Sequence, residues 1–307
     1  MLRFLLGRLI QSVVTLIIIS LVVFGLVRMT GNPLDMMLPA DAPPEMRERI
    51  SQSMGLDRPL PMQYGIFLSN LLRGDLGTSI RSSAPVTDMI LDRLPNTLEL
   101  AAAAMGIALL LAVPLGILAA VRKGGVWDAT ARGISLLGQS VPTFWAGIVL
   151  IQIFSVQLGW LPAGRQGGID HLILPAVTLG LFGFMLAGVT RILRGSMIET
   201  LDSDYVLFAR VKGVGPGAIA WQHAFSNALI PVVTFIGFYF GIMVSGTVVV
   251  ETVFAWPGLG RLAFDAVQWR DYPVVQGVVL MVAFITLLTN LGVDILYAYL
   301  DPRIRYS

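Results

Sequence analysis

The feature that most constrains this chain is the spacing of its charges, which leaves six long stretches without any Asp, Glu, Lys or Arg. They cover residues 9–27, 100–121, 133–164, 171–190, 213–250 and 272–293. A charge at the bilayer centre costs about 3 kcal/mol or more, and roughly 20 apolar residues cross the hydrocarbon core. The sequence therefore predicts an all-α integral membrane protein with six transmembrane helices.

The composition excludes most soluble classes of protein. Only 13% of the 307 residues are charged and 55% are hydrophobic, whereas about a quarter of an average soluble domain is charged. The chain has no cysteine, so disulfides, cysteine nucleophiles and cysteine-ligated metals are excluded. A net charge of +2 without a basic run does not favour nucleic-acid binding.

The remaining charges predict the orientation. Arg3 and Arg8 precede the first apolar stretch, which is longer than the core of a secretion signal and is interpreted as a retained anchor. Basic residues also fill the loops 122–133 and 191–212 and the tail, where Arg303 and Arg305 lie. Because basic residues concentrate in cytoplasmic loops, we expect both termini to be cytoplasmic.

Two segments outside the predicted spans are informative. Residues 30–96 are rich in proline and predict short helices and turns, with 63–72 lying against the membrane or the bundle, or binding an external partner. The peptide 251–261 (ETVFAWPGLGR) predicts a turn after the fifth span. It is either a simple connection, with Trp256 at the bilayer interface, or part of the outer mouth of a pathway.

Residues 204–213 (DYVLFARVKG) predict one short cytoplasmic helix. Ser203 or Asp204 can cap its start, and Gly213 ends it. Such a helix is too short to be stable alone in water, yet most of its circumference is apolar. It must bury that surface against the protein's own bundle or against a partner, and the residues alone leave both alternatives open.

The sequence offers little catalytic chemistry. Neither lysine lies in a phosphate-binding loop, and the glycine-rich run at 213–217 follows no strand. His171 and His223 have no carboxylate at ligand spacing, so no metal site is predicted. The ionisable residues nearest to the predicted spans, Glu99, Glu251 and Asp294, lie at span ends, which disfavours an ion-coupled carrier and suggests energy from another subunit.

Several motifs together resemble the permease subunits of peptide and nickel ABC importers, specifically the first-permease type of dipeptide, oligopeptide and glutathione systems. The resemblance covers nearly the whole chain. Its motifs are Gly31-Asn32-Pro33, 55–60 (GLDRPL), 74–79 (GDLGTS), 93–98 (RLPNTL), 159–162 (GWLP), 204–213, His223, 227–231 (NALIP), 251–254 (ETVF) and 257–260 (PGLG).

The resemblance implies a type I ABC importer permease fold with a large external loop. It divides the chain into an N-terminal transmembrane helix at 1–30, an external periplasmic region at 31–96 and a permease core at 97–307 with five helices and a coupling loop at 195–227. The implied coupling helix docks on a cytoplasmic ATPase through Asp204, Tyr205, Leu207, Phe208, Ala209, Arg210, Lys212 and Gly213. His223, Asn227 and Pro231 would support that loop. Residues Glu251, Phe254, Trp256, Pro257, Gly258 and Gly260 would form the external mouth.

The resemblance also implies partners in a bacterial inner membrane. These are a second homologous permease, two ATPases that carry ATP and Mg, and an external solute-binding protein. The implied substrate is a short peptide, with glutathione or a nickel chelate as alternatives, and the chain itself would not be an enzyme. An ion-coupled carrier or channel, or a structural membrane scaffold, are alternatives of other classes.

Overall fold

A computed structural model describes residues 2–29, 43–53 and 55–300 as a helical protein. Within those ranges there is no β-strand beyond one isolated bridge between Thr78 and Pro85. The helices are α1 (Leu2–Met29), α2 (Pro44–Ser53), α3 (Leu60–Leu72), α4 (Val86–Val121), α5 (Val126–Ser140), α6 (Thr143–Gln157), α7 (Ile169–Phe182), α8 (Phe184–Leu201), α9 (Asp204–Val211), α10 (216–253), α11 (Leu259–Gln268) and α12 (Tyr272–Leu300).

The predicted number of six spans is reached if each of two bent helix pairs counts as one span. Helices α1, α4, α10 and α12 are each long and apolar enough to cross a membrane. The other two spans are bent pairs, in which α5 meets α6 at 97° and α7 meets α8 at 47°. The apolar stretches 133–164 and 171–190 therefore each contain a helix break that the charge pattern did not reveal.

Local backbone chemistry explains both breaks. Val141 is extended (φ −88°, ψ 121°) because Pro142 follows it and disfavours the helical conformation of the preceding residue. At the second break Gly183 is also extended (φ −91°, ψ 171°). The two breaks lie together, since the Thr143 hydroxyl donates to the Phe182 carbonyl oxygen at 3.4 Å. The Phe184 N–H donates to the Tyr239 hydroxyl oxygen at 3.0 Å.

The core forms where α4 packs against α7 and α8. Small side chains on α4, Ala104, Ala108 and Ala112, are fully buried. A Cβ at Gly180 of α7 would lie 2.6 Å from the Ala104 carbonyl oxygen, so the two backbones approach closely there. Close backbone packing through small residues is typical of membrane helix bundles, where apolar side chains gain little by leaving lipid. This packing holds α8, which leads directly into α9.

The predicted helix at 63–72 is present as the longer helix α3, which lies against α1. The Ser20 and Tyr64 hydroxyl groups are hydrogen-bonded at 2.8 Å. The Phe24 and Tyr64 rings meet edge to face with centroids 5.5 Å apart. Helix α4 begins at Val86, inside the predicted external region 31–96, and continues into the second span. The motif at 31–33 and the tail arginines Arg303 and Arg305 lie outside the described residues.

Candidate coupling helix and outer plug

Helix α9 occupies Asp204–Val211, close to the predicted 204–213. Ser203 holds the N-cap position, but its hydroxyl donates to the Thr200 carbonyl oxygen at 2.5 Å and makes no cap bond to α9. The predicted side-chain capping by Ser203 is therefore wrong, because the preceding turn takes that hydroxyl. Gly213 ends the segment as predicted, with φ +82°, a left-handed conformation that favours glycine.

One face of α9 is buried and the other is open. Val206 is 0% exposed and Ala209 is 9% exposed, so these two residues attach α9 to the protein's own helices. Leu207 is 59% exposed, Phe208 60% and Val211 80%. The bundle therefore covers one side of α9, and the opposite side is an apolar surface that no residue described by the structure covers.

A polar network ties α9 to the start of α10. The Tyr205 hydroxyl donates to the His223 carbonyl oxygen at 3.2 Å. The Asn227 amide donates to the same carbonyl at 2.8 Å and to the Tyr205 hydroxyl oxygen at 2.9 Å. His223 lies in a π-helical turn, Ile219–Phe225, and contributes its backbone rather than its imidazole. The structure therefore joins Tyr205, His223 and Asn227, three residues singled out in the sequence without any indication that they touch.

The other singled-out residues of the segment surround this network. Pro231 lies within α10, one turn after Asn227, and has no N–H to give to the Asn227 carbonyl. Arg210 donates to the Leu201 carbonyl oxygen at 3.4 Å. The Lys212 ammonium lies 4.5 Å from the centroid of the Phe208 ring, a cation–π arrangement at the edge of the exposed face. Asp204 and Gly213 are exposed at the two ends of the segment.

A buried ion pair that sequence analysis missed holds the helix that leads into α9. The Arg194 guanidinium of α8 makes two hydrogen bonds to Asp128 of α5, at 2.7 and 2.9 Å. Asp128 is 2% exposed and also accepts the Gly124 N–H at 3.0 Å. Such bidentate pairs fix the relative geometry of the two helices. The two residues are 66 positions apart, so no local pattern could have paired them.

At the opposite end of α10, Glu251 is completely buried. Its carboxylate accepts the Thr97 hydroxyl at 2.7 Å and the Arg261 N–H at 2.9 Å. The Thr97 hydroxyl oxygen in turn accepts the Leu259 N–H at 2.7 Å. Leu259 and Arg261 lie in the first turn of α11, so Thr97 and Glu251 together cap that helix, and the carboxylate lies at its positive end.

Residues 251–261 form a compact unit, here called the outer plug. Phe254 and Trp256 are each 1% exposed, so the interpretation of Trp256 as a residue at the bilayer interface is wrong. The indole N–H of Trp256 donates to the Asn96 carbonyl oxygen at 2.9 Å, and the Asn96 amide donates to the Pro257 carbonyl at 3.0 Å. The ring is buried because a backbone acceptor within the protein satisfies its polar edge.

Two glycines of the outer plug have no room for a side chain. A Cβ at Gly258 would lie 2.3 Å from the Glu251 carboxyl carbon. A Cβ at Gly260 would lie 2.5 Å from the Cα of Val248 in α10. The motifs 93–98 and 251–260 were recognised separately in the sequence. The structure shows that they are in direct contact.

The sequence predicts no metal site at His171 or His223. His171 Nδ1 lies 2.8 Å from the Gly164 carbonyl oxygen, and His223 contributes its carbonyl to the α9 network. In the ranges that the structure covers, no group of three His, Asp or Glu side chains is arranged to hold a metal ion.

These features define a class of protein: a helical membrane permease, with a short half-buried helix at one end of α10 and a tightly packed turn at the other. The fold is that of type I ABC importer permeases. An inward-facing structure of the MetNI methionine ABC transporter matches with a TM-score of 0.58, at 16% identity over 69% of this chain and 96% of that chain. A crystal structure of an amino acid ABC transporter with histidines matches with a TM-score of 0.53 and 20% identity, over 71% of this chain and 94% of that chain.

The chain belongs to the binding-protein-dependent transport system inner membrane component family. The family model matches residues 112–306, and the model of the family's N-terminal domain matches residues 1–101. The chain is therefore a multi-pass inner-membrane component of a transport system.

Two relatives align with this chain over the full length of both proteins. The glutathione transport system permease protein GsiC of Pectobacterium atrosepticum is 42% identical. The dipeptide transport system permease protein DppB of Alkalihalophilus pseudofirmus is 38% identical.

Proposed function

We propose that this chain is the permease subunit of an ATP-driven importer of short peptides, and that a partner ATPase drives it through α9. The observation that carries the proposal is the exposed apolar face of Leu207, Phe208 and Val211 on a helix whose other face is buried. An apolar surface of this kind on a short helix fits the groove of a partner protein.

Helix α10 provides a route from α9 to the outer plug. Asn227 near its start holds Tyr205 of α9, and Glu251 near its end holds the outer plug. At about 1.5 Å per residue these two positions are about 36 Å apart, enough to cross a hydrocarbon core of about 30 Å. Movement of α9 by the closing ATPases would tilt α10 and shift the outer plug, switching a central pathway between outward and inward access.

The chain supplies no bond chemistry in this proposal. ATP and Mg are held by two partner ATPases, and a second, homologous permease completes the pathway. An external solute-binding protein delivers the substrate to the outer plug. In this proposal both termini and α9 lie in the cytoplasm, as the concentration of basic residues in these loops favours.

A short peptide is the proposed substrate because relatives of full length are named as dipeptide and glutathione permeases. Glutathione is the second candidate, and the 42% identity to a glutathione permease favours it specifically. A nickel chelate is a weaker alternative. Both leading candidates are small peptides that carry carboxylates. Uptake of labelled dipeptide and of labelled glutathione, measured in the same assay, shows which of the two is transported.

Uptake by the complete transporter in proteoliposomes tests the proposal. Phe208→Asp places a charge on the exposed face of α9 and should reduce ATP-driven uptake at least tenfold, while the chain still inserts and assembles. Val126→Asp is the matched control because Val126 is also an exposed apolar residue, 80% accessible against 60% for Phe208, and lies in the other predicted cytoplasmic loop. Unchanged uptake by Phe208→Asp would contradict the proposal, as would an equal loss in both variants.

A further inference from the structure

A cavity of about 310 Å³ opens beside the outer plug, between the turn 79–82, the outer end of α4 and the junction of α11 and α12. One wall is fixed by Asp271, which is 4% exposed. Its carboxylate accepts the Ser79 hydroxyl at 2.5 Å, the Ile80 N–H at 3.1 Å and the Arg81 N–H at 3.4 Å. This carboxylate is therefore already occupied and holds the turn in place.

The rim of this outer cavity combines a cation with an aromatic ring. The Arg81 guanidinium lies 3.9 Å from the centroid of the Trp269 ring, and Trp269 is 60% exposed. Stacking on the indole orients the guanidinium without using its N–H donors. Arginine and tryptophan are also the residues most enriched at the energetic centres of protein interfaces.

A second cation lines the same cavity. Arg93 of α4 is half-buried, and its guanidinium makes no hydrogen bond or ion pair with any residue that the structure describes. Asp265 also lines the cavity, but its ion pair is with Arg261, with Nε and Oδ2 3.9 Å apart. Because the guanidinium is only half-buried, its N–H donors are open to an acceptor from outside this chain.

We propose that the outer cavity is the docking site for a carboxylate side chain of the external solute-binding protein, held by Arg93 and Arg81. A guanidinium fork matches a carboxylate with two parallel hydrogen bonds. Arg93 lies one helical turn before Asn96 and Thr97, whose side chains contact the outer plug. Docking at this point is therefore directly connected to the outer plug. The inference rests on the proposed function, because it requires an importer with an external binding protein.

The test measures docking itself, without ATP, between the complete transporter in lipid nanodiscs and its purified solute-binding protein. Arg93→Gln should weaken the affinity about tenfold at low salt, and Arg93→Lys should weaken it less because the charge remains. Arg73→Gln is the matched control: it removes an exposed positive charge of the same external region away from the cavity. Thermal midpoint and basal ATPase activity check that each variant is assembled, and Arg81→Gln gives a second reading if Arg93→Gln does not assemble.

A loss of affinity for empty and loaded binding protein alike, with Arg73→Gln unchanged, supports the inference. Wild-type affinity in Arg93→Gln would overturn it. A loss seen only with free-acid peptide, and absent with C-terminally amidated peptide or empty binding protein, would also overturn it, because the carboxylate would then come from the substrate. Failure of wild-type uptake in proteoliposomes would contradict the proposed function instead, which separates the two failures.

Discussion

At the scale of single residues, the outer plug is held together by hydrogen bonds between buried groups. The Glu251 carboxylate is buried and accepts two hydrogen bonds. One comes from the Thr97 hydroxyl, which is distant in sequence, and the other from the Arg261 N–H, across a tight turn. Gly258 passes so close to that carboxylate that any side chain would displace it. The residues of this unit therefore depend on one another, and even a small side chain at Gly258 should disturb their packing.

Gly258→Ala is expected to destabilise the protein by about 1–3 kcal/mol, because its Cβ would overlap the Glu251 carboxyl group. Thermal unfolding of the purified permease complex measures this, and uptake should fall in parallel. Gly106→Ala is the control, since no atom lies within 4 Å of a Cβ at that position of α4. A Gly258→Ala variant as stable as Gly106→Ala would contradict the close packing described for the outer plug.

The sequence indicated which residues belong to the outer plug but not how they pair. The stretches 93–98 and 251–260 were visible as motifs, while the bonds between Asn96, Thr97 and the plug join positions about 160 apart in the chain. No local pattern records such contacts. The burial of Trp256 was missed for the same reason, because its acceptor is the backbone of Asn96.

At the scale of elements, α9 is held by its neighbours rather than by its own helical propensity. Eight residues are too few for an independent helix. The bundle buries Val206 and Ala209, and the network around Tyr205 fixes the helix to α10. The position of α8 also matters, because α8 leads into α9 and is clamped to α5 by Arg194 and Asp128.

Asp128→Asn should lower stability by about 1–3 kcal/mol, since the amide leaves the Arg194 guanidinium without its charged partner in a partly buried place. Because α8 carries α9, transport per ATP hydrolysed should fall as well. Asp202→Asn is the matched control: its ion pair with Lys123 spans 3.6 Å between exposed side chains and should contribute almost nothing. Equal effects of the two variants on thermal midpoint and coupling ratio would contradict the role given to the buried pair.

Element boundaries show where sequence patterns stop being informative. The charge-free stretches coincide with the four straight candidate spans and the two bent pairs, because the cost of a buried charge acts on every spanning helix alike. They could not reveal the breaks at Val141 and Gly183, since an uncharged residue can be helical or extended. Pro142 is a signal for the first break that the charge pattern does not use.

At the scale of the whole molecule, α10 connects the two sites to which we assign a function. One end holds the helix with the exposed apolar face, and the other holds the outer plug. The central proposal is that an ATPase partner binds α9 from the cytoplasm.

Site-directed cross-linking in the assembled transporter tests this claim most directly, because the chain has no native cysteine. A photoreactive maleimide on Leu207→Cys should cross-link to the ATPase subunit, and the same probe on Val126→Cys should give at most a weak product. That result would also place α9, and with it the predicted orientation, on the cytoplasmic side. No ATPase cross-link from Leu207→Cys in a transporter that hydrolyses ATP, or an equal yield from Val126→Cys, would contradict the claim.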